Sequence, residues 1–226
     1  MQFFVTGIGT DVGKTVVAAI LTRALGADYW KPVQAGVEPG TDRGAVHALV
    51  PAATCHPEAY RLQLPASPHA AAAAEGVTLT LAALLAARPQ TTRPLVVEGA
   101  GGVLVPLAPG LLLIDLIAAL ALPVVLVSRH YLGSINHTLL TVEALRSRRI
   151  AIAGLVFNGP PTPASESFIL AQTGLPVLLR VPEMPAITAE VISRLAATVV
   201  WPPPVAALLA APSATSPATP PATSPA

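Results

Sequence analysis

Thr6-Gly7-Ile8-Gly9-Thr10-Asp11-Val12-Gly13-Lys14-Thr15 forms the first loop of the chain, and the fold turns on how it is read. A β-prone run, Gln2 to Thr6, stands before it, and Gly13 to Leu25 carries apolar residues at helical spacing, so the segment reads strand, loop, helix. A glycine-rich turn feeding a helix N-terminus gathers backbone N–H groups around one point, where a phosphate is stabilised. Lys14 then reaches the outer phosphates, and Thr15 offers a hydroxyl to a divalent cation. The spacing is not GxxxxGK[ST], because five residues separate Gly7 from Gly13. It is also one residue too long for GxGxxG, a pattern that has no use for Lys14-Thr15. The competing reading is an ordinary Gly-rich connection with a solvated lysine.

Outward from this loop the strand–helix alternation repeats. Strands are expected at Tyr29 to Val33, Leu95 to Glu98, Pro123 to Ser128, Ala151 to Phe157 and Val177 to Val181. Helices are expected at Ala45 to Leu49, Thr80 to Ala87, Ile114 to Leu120, Ile135 to Arg146 and Ser165 to Gln172. Val-, Leu- and Ile-rich strands alternating with helices imply an α/β fold with a parallel sheet covered on both faces. Ligands of such sheets lie beyond the carboxyl ends of the strands.

The chain has 226 residues, 53% hydrophobic and 11% charged, which suits one domain over 1–201 with a sizeable core. Residues 202–226 carry no charge, and from Ala210 onward only Ala, Pro, Ser and Thr occur, so this tail is expected to be disordered. A net charge of +1 without a basic stripe disfavours nucleic acid as a partner. The apolar stretch Gly99 to Val127 is interrupted by Gly101, Gly102, Pro106, Pro109, Gly110 and Pro123, so no membrane span is expected. A lone Cys55 and the lack of a secretory leader pattern point to the cytoplasm.

Several strand ends carry chemistry. Glu98 leaves an apolar strand into Gly99-Ala100-Gly101-Gly102, a suitable Mg²⁺ position beside Thr15. Asp42 is either a further metal ligand or an N-cap, while Asp115 is expected to cap its helix. Lys31, held extended by Pro32, either projects toward the phosphates or is merely solvated. Gly133-Ser134 opens a helix whose N-terminus suits a carboxylate, although capping by Ser134 explains the same residues. Asn158 either reads a purine edge or simply makes the turn before Gly159-Pro160.

The segments VTGIGTDVGKT (5–15), WKPVQAG (30–36), TDRGAV (41–46), SPHAA (67–71), VVEGAGG (96–102), LGSINHTLLT (132–141) and GLVFNG (154–159) together resemble the dethiobiotin synthetase family, in order and over roughly 2–200. The resemblance implies a three-layer P-loop NTPase-like fold and a homodimeric, Mg²⁺-dependent ATP enzyme. Its reaction converts 7,8-diaminononanoate and CO₂ into a cyclic urea. By motif, Gly9, Thr10, Asp11, Val12, Gly13, Lys14 and Thr15 would surround the phosphates, with Asn158 and Val181-Pro182-Glu183 near the adenine. Lys14, Lys31 and Thr10 would be catalytic, and Thr15, Asp42 and Glu98 would hold the metal. Lys31, Ala35, Gly99, Gly133, Ser134, Ile135 and Asn136 would meet the substrate, the last four from the partner subunit. Two departures stand out: Ala35 replaces the usual Ser or Thr, and Leu179 a frequent glycine. Partitioning-type ATPases resemble this chain in fold but carry a second lysine where Gly9 stands. The cobyrinate amidation family adds an amidotransferase domain with a nucleophilic cysteine, and Cys55 stands in no such context.

Overall fold

Successive side chains of a strand leave on opposite faces, and this alternation builds the layers. The structure, a computed structural model, describes residues 1–201 together with Pro203 and Ala207; the expected disordered tail otherwise lies outside the described residues. In β1 (Gln2–Gly7), Phe3 and Val5 pack into one apolar layer and Phe4 into another.

The chain continues through α1 (Lys14–Leu25), β2 (Asp28–Trp30), β3 (Val33–Ala35), α2 (Asp42–Leu49), β4 (Cys55–His56), β5 (Tyr60–Leu62), α3 (Pro68–Ala74) and α4 (Leu81–Ala86). There follow β6 (Leu95–Gly102), β7 (Pro106–Ala108), β8 (Leu111–Leu112), α5 (Leu113–Leu120), β9 (Val124–Arg129) and α6 (Ser134–Ser147). Last come β10 (Ile152–Asn158), α7 (Pro163–Thr173), β11 (Val177–Val181) and α8 (Ala189–Ala196). Seven strands make one wholly parallel sheet in the order β11-β10-β9-β1-β6-β2-β4. One face packs on α1 and α8 through Val17, Ile20, Leu21 and Ile192; the other packs on α5, α6 and α7 through Ile114, Ile117, Leu145 and Ile169. The expected three-layer α/β architecture is therefore observed.

The single strand expected at Tyr29 to Val33 is instead two. β2 stops at Trp30, and Val33 begins β3, which pairs with β5 in a separate small sheet. Pro32 lies at the break, where it has no N–H to give a ladder, and its carbonyl accepts from Ala59 and Tyr60 instead. Lys31 thus sits where the chain leaves the main sheet. α2 starts earlier than expected, with the Thr41 hydroxyl accepting from the Gly44 N–H. Asp115 caps as expected, its Oδ2 accepting from the Leu112 N–H at 2.8 Å. The stretch Gly99 to Val127 folds into the end of β6, the β7–β8 hairpin, α5 and β9, and no helix among the described residues is long and apolar enough to cross a membrane.

Candidate active site

The loop between β1 and α1 is held by hydrogen bonds, among them one that Arg129 donates to the Asp11 carbonyl. The Ile8 N–H donates to the Val127 carbonyl, Lys14 Nζ donates to the Gly9 carbonyl at 2.7 Å, and Asn158 Nδ2 donates to the Val12 carbonyl at 2.9 Å. Gly13 takes φ 92°, and a Cβ there would fall 2.2 Å from Asn158 Nδ2, so both backbone and space require glycine. Gly13 caps α1 without any side chain, leaving the first-turn amides free to bind an anion.

Burial lowers the pKa of Lys14 to about 8, an effect that Glu98 partly opposes and Lys31 reinforces. Phosphates beside it favour the charged ammonium. Phosphate binding is therefore expected to take up a proton above that pH, and affinity is expected to fall as the pH rises through it. Calorimetry in buffers of different ionisation enthalpy, about one unit above and about one unit below, checks this; proton uptake should vanish at the lower pH.

Behind the loop lies a buried ionic cluster. Thr15 Oγ1 stands 2.7 Å from Asp42 Oδ1 and 2.9 Å from Glu98 Oε1. Lys31 Nζ stands 2.6 Å from Asp42 Oδ2 and 3.1 Å from Glu98 Oε1. Burial pulls Lys31 down, but Glu98 and Asp42 together hold it above its ordinary pKa. Burial pushes the Asp42 carboxyl up, and Lys31 with the Thr15 hydroxyl more than reverses this. Asp42 is thus no N-cap, since Thr41 fills that role, and Lys31 is buried rather than solvated.

This donor set suits Mg²⁺. The one Thr15 hydroxyl proton cannot serve two carboxylates at once, and three hard oxygens, Thr15 Oγ1, Asp42 Oδ1 and Glu98 Oε1, come together beside the Lys31 ammonium. Among the described residues no three His, Cys, Asp or Glu side chains cluster as metal ligands. A cation held by two carboxylates and a hydroxyl would keep waters or phosphate oxygens, as Mg²⁺ prefers.

The cluster opens into a cleft of about 710 Å³, walled by the loop on one side and by residues 65–68 on the other. Thr10, Asp11, Gly13, Lys14, Thr15, Lys31, Ala35, Asp42 and Glu98 all line it. Gly99 does not: a Cβ there would meet Phe4 and Leu113 below the sheet, and Ala100 and Gly101 line the cleft in its place. Gly133, Ser134, Ile135 and Asn136 also lie away from the lining, at the start of α6. Gly133, not Ser134, is the N-cap there, and Ser134 is buried as the first helical residue. Asn158 and Val181 pair at the adjoining ends of β10 and β11, with Pro182 and Glu183 exposed beyond them. Leu179 is buried in the layer shared with α1 and α8.

Two residues went unnoticed in the sequence. The Gln34 side chain accepts from the Asp42 N–H at 3.2 Å and donates to the Gly36 carbonyl at 2.8 Å, folding the intervening loop so that Asp42 reaches Lys31. The Tyr29 hydroxyl donates to Glu98 Oε2 at 2.8 Å. Strand alternation was the available signal for Tyr29, because residues two apart share a face.

A family model described as an AAA domain matches residues 1–191. The chain is 52% identical over 198 residues to the ATP-dependent dethiobiotin synthetase BioD of Cytophaga hutchinsonii, covering 86% of this chain and 95% of that protein. It is 49% identical over 201 residues to the protein of the same name from Paramagnetospirillum magneticum, covering 89% and 94%. Among solved structures, a ParA family ATPase from Chlorobium tepidum TLS superposes with a TM-score of 0.55 at 12% identity, covering 87% of this chain and 97% of that one. That likeness is one of fold alone. With half its residues shared along nearly the full length of these relatives, the chain belongs to the dethiobiotin synthetase family.

Proposed function

We propose that this chain closes the cyclic urea of dethiobiotin from 7,8-diaminononanoate, CO₂ and ATP, acting with Mg²⁺ as a homodimer in the cytoplasm. One substrate amine takes up CO₂ as a carbamate, and ATP phosphorylates a carbamate oxygen. The second amine then attacks the carbonyl carbon, and phosphate leaves. Such chemistry asks little covalent work of the protein; positioning and charge neutralisation dominate. The observation that carries this reading is the meeting of Lys14, Lys31, Thr15, Asp42 and Glu98 around one cleft.

In this scheme the loop residues Gly9 to Thr15 bind the phosphates, and Thr10 and Lys14 contact the oxygens that gain charge. Lys31, fixed by Asp42 and Glu98, neutralises the carbamate and the transferring phosphoryl group. Thr15, Asp42 and Glu98 hold Mg²⁺, which when bound spreads the charge of the outer phosphates. Asn158 and the segment 181–183 flank the adenine. Ala35 lines the substrate end of the cleft without a hydroxyl.

The α6 start would receive the substrate's carboxylate tail in the partner's site. Supporting this is an exposed apolar rim, with Leu104, Tyr131, Leu132 and Leu140 all solvent-facing. Leu104 and Leu140 line a second groove of about 400 Å³ between the phosphate loop, residues 102–106 and α6. Purified protein given Mg²⁺-ATP, bicarbonate and the diamine is expected to release dethiobiotin, detected by mass. Folded protein that makes none would overturn the assignment.

A further inference from the structure

Tyr29 is a buried aromatic side chain whose hydroxyl reaches the candidate metal carboxylate, Glu98. Its ring is wholly inaccessible, packed in the layer beneath α1, and it does not line the cleft. Phenylalanine would fill that space equally well, so packing alone does not account for the hydroxyl. The two oxygens of Glu98 are divided: Oε1 faces Thr15 and Lys31, and Oε2 receives the Tyr29 hydroxyl. Glu98 is itself 1% exposed, so without that donor Oε2 would be buried unpaired or would rotate toward the cations.

We propose that Tyr29 is a positioning residue for the metal carboxylate: its hydroxyl ties Glu98 Oε2 on the α1 face of the sheet and holds Oε1 toward Thr15 and the cleft. The proposal rests on the metal role given above to Thr15, Asp42 and Glu98. Backbone geometry supports it. Tyr29 lies opposite Val96 in the β2–β6 ladder, two residues before Glu98, and its N–H is anchored on the Thr54 carbonyl, so the phenol's reach is set by the sheet. Burial, then the charge of Glu98, raises the phenol well above its ordinary pKa, which keeps it a donor throughout the working range. A Tyr29 that touches neither phosphate nor substrate acts through Glu98, as the hydrogen-bonded partners of metal ligands generally do.

The test is Tyr29→Phe in the full chain, with Mn²⁺ as the probe and its free fraction read by electron paramagnetic resonance in the presence of ATP. The expected result is a Mn²⁺ dissociation constant about tenfold weaker than that of the unaltered chain, the low end for loss of a partner to a metal ligand. The Mg²⁺ concentration for half-maximal turnover should rise in parallel. Turnover at saturating Mg²⁺ and metal-free ATP binding should stay within about twofold, a split that general loosening of the core would not produce. A Mn²⁺ constant within about twofold of the unaltered chain, in folded Tyr29→Phe, overturns the proposal while leaving the metal role intact. Failure of the unaltered chain to bind Mn²⁺ with ATP overturns the metal role and the proposal with it.

Should Tyr29→Phe not fold, the unaltered sequence decides, carrying 3-fluorotyrosine at its tyrosines. Of the fluorine resonances, the one shielded from a soluble paramagnetic agent should shift when Mg²⁺ is added to the ATP complex. No shift overturns the proposal.

Discussion

Replacing Lys31 by methionine is expected to cut dethiobiotin formation by on the order of 10²- to 10³-fold, the loss typical of a preorganised charge stabiliser. The same substitution removes the one ammonium between two carboxylates, of which Glu98 is fully buried and Asp42 partly exposed. Leaving one partner of a buried ion pair uncompensated costs about 3–5 kcal/mol, so the variant should also melt earlier. The two effects separate on adding Mg²⁺. Extra cation should recover melting temperature more in Lys31→Met than in the unaltered chain, because the freed carboxylates accept it, while turnover stays low. Product formation within about tenfold of normal in a folded variant would remove Lys31 from the chemistry.

Lys14→Ala should weaken ATP binding and lower turnover by on the order of 10²-fold or more, for a different reason. Lys14 is the first residue of α1 and lines the cleft, and its bond to the Gly9 carbonyl also braces the loop. Once it is gone, the phosphates keep the backbone amides but lose a side-chain counter-charge. Calorimetric titration with Mg²⁺-ATP measures this directly. The proton uptake expected near pH 8 should vanish in this variant, since burial of the Lys14 ammonium is its source. Uptake that persists in Lys14→Ala would assign the titration to another group, and ATP affinity within about threefold of normal would remove the phosphate role.

Much of the architecture was legible because parallel strands buried on both faces must be continuously apolar. Leu95-Val96-Val97, Val124 to Val127 and Leu155-Val156-Phe157 could be little else. The phosphate loop was legible because its glycines answer local backbone demands, as Gly13 shows. Short elements were not. β4, β5, β7 and β8 are each two or three residues long, and the partners of β4 and β5 lie elsewhere in the chain. The break after Trp30 escaped notice although Pro32 signals it, since a proline marks a strand's end only if the neighbouring strand needs its N–H.

By itself, then, the sequence determined the layer order, the phosphate loop and the residue types available at each strand end, all of which depend on neighbours within a few residues. It left Asp42 suspended between cap and metal ligand and Lys31 between solvent and site. Only the tertiary structure ruled out the cap for Asp42 and buried Lys31 beside the cleft, because ion pairing and burial depend on groups distant in sequence, as the bonds from Thr15 to Asp42 and Glu98, 27 and 83 residues away, illustrate. Tyr29 is the clearest case: a strand tyrosine is unremarkable until folding sets its hydroxyl against a carboxylate from another strand.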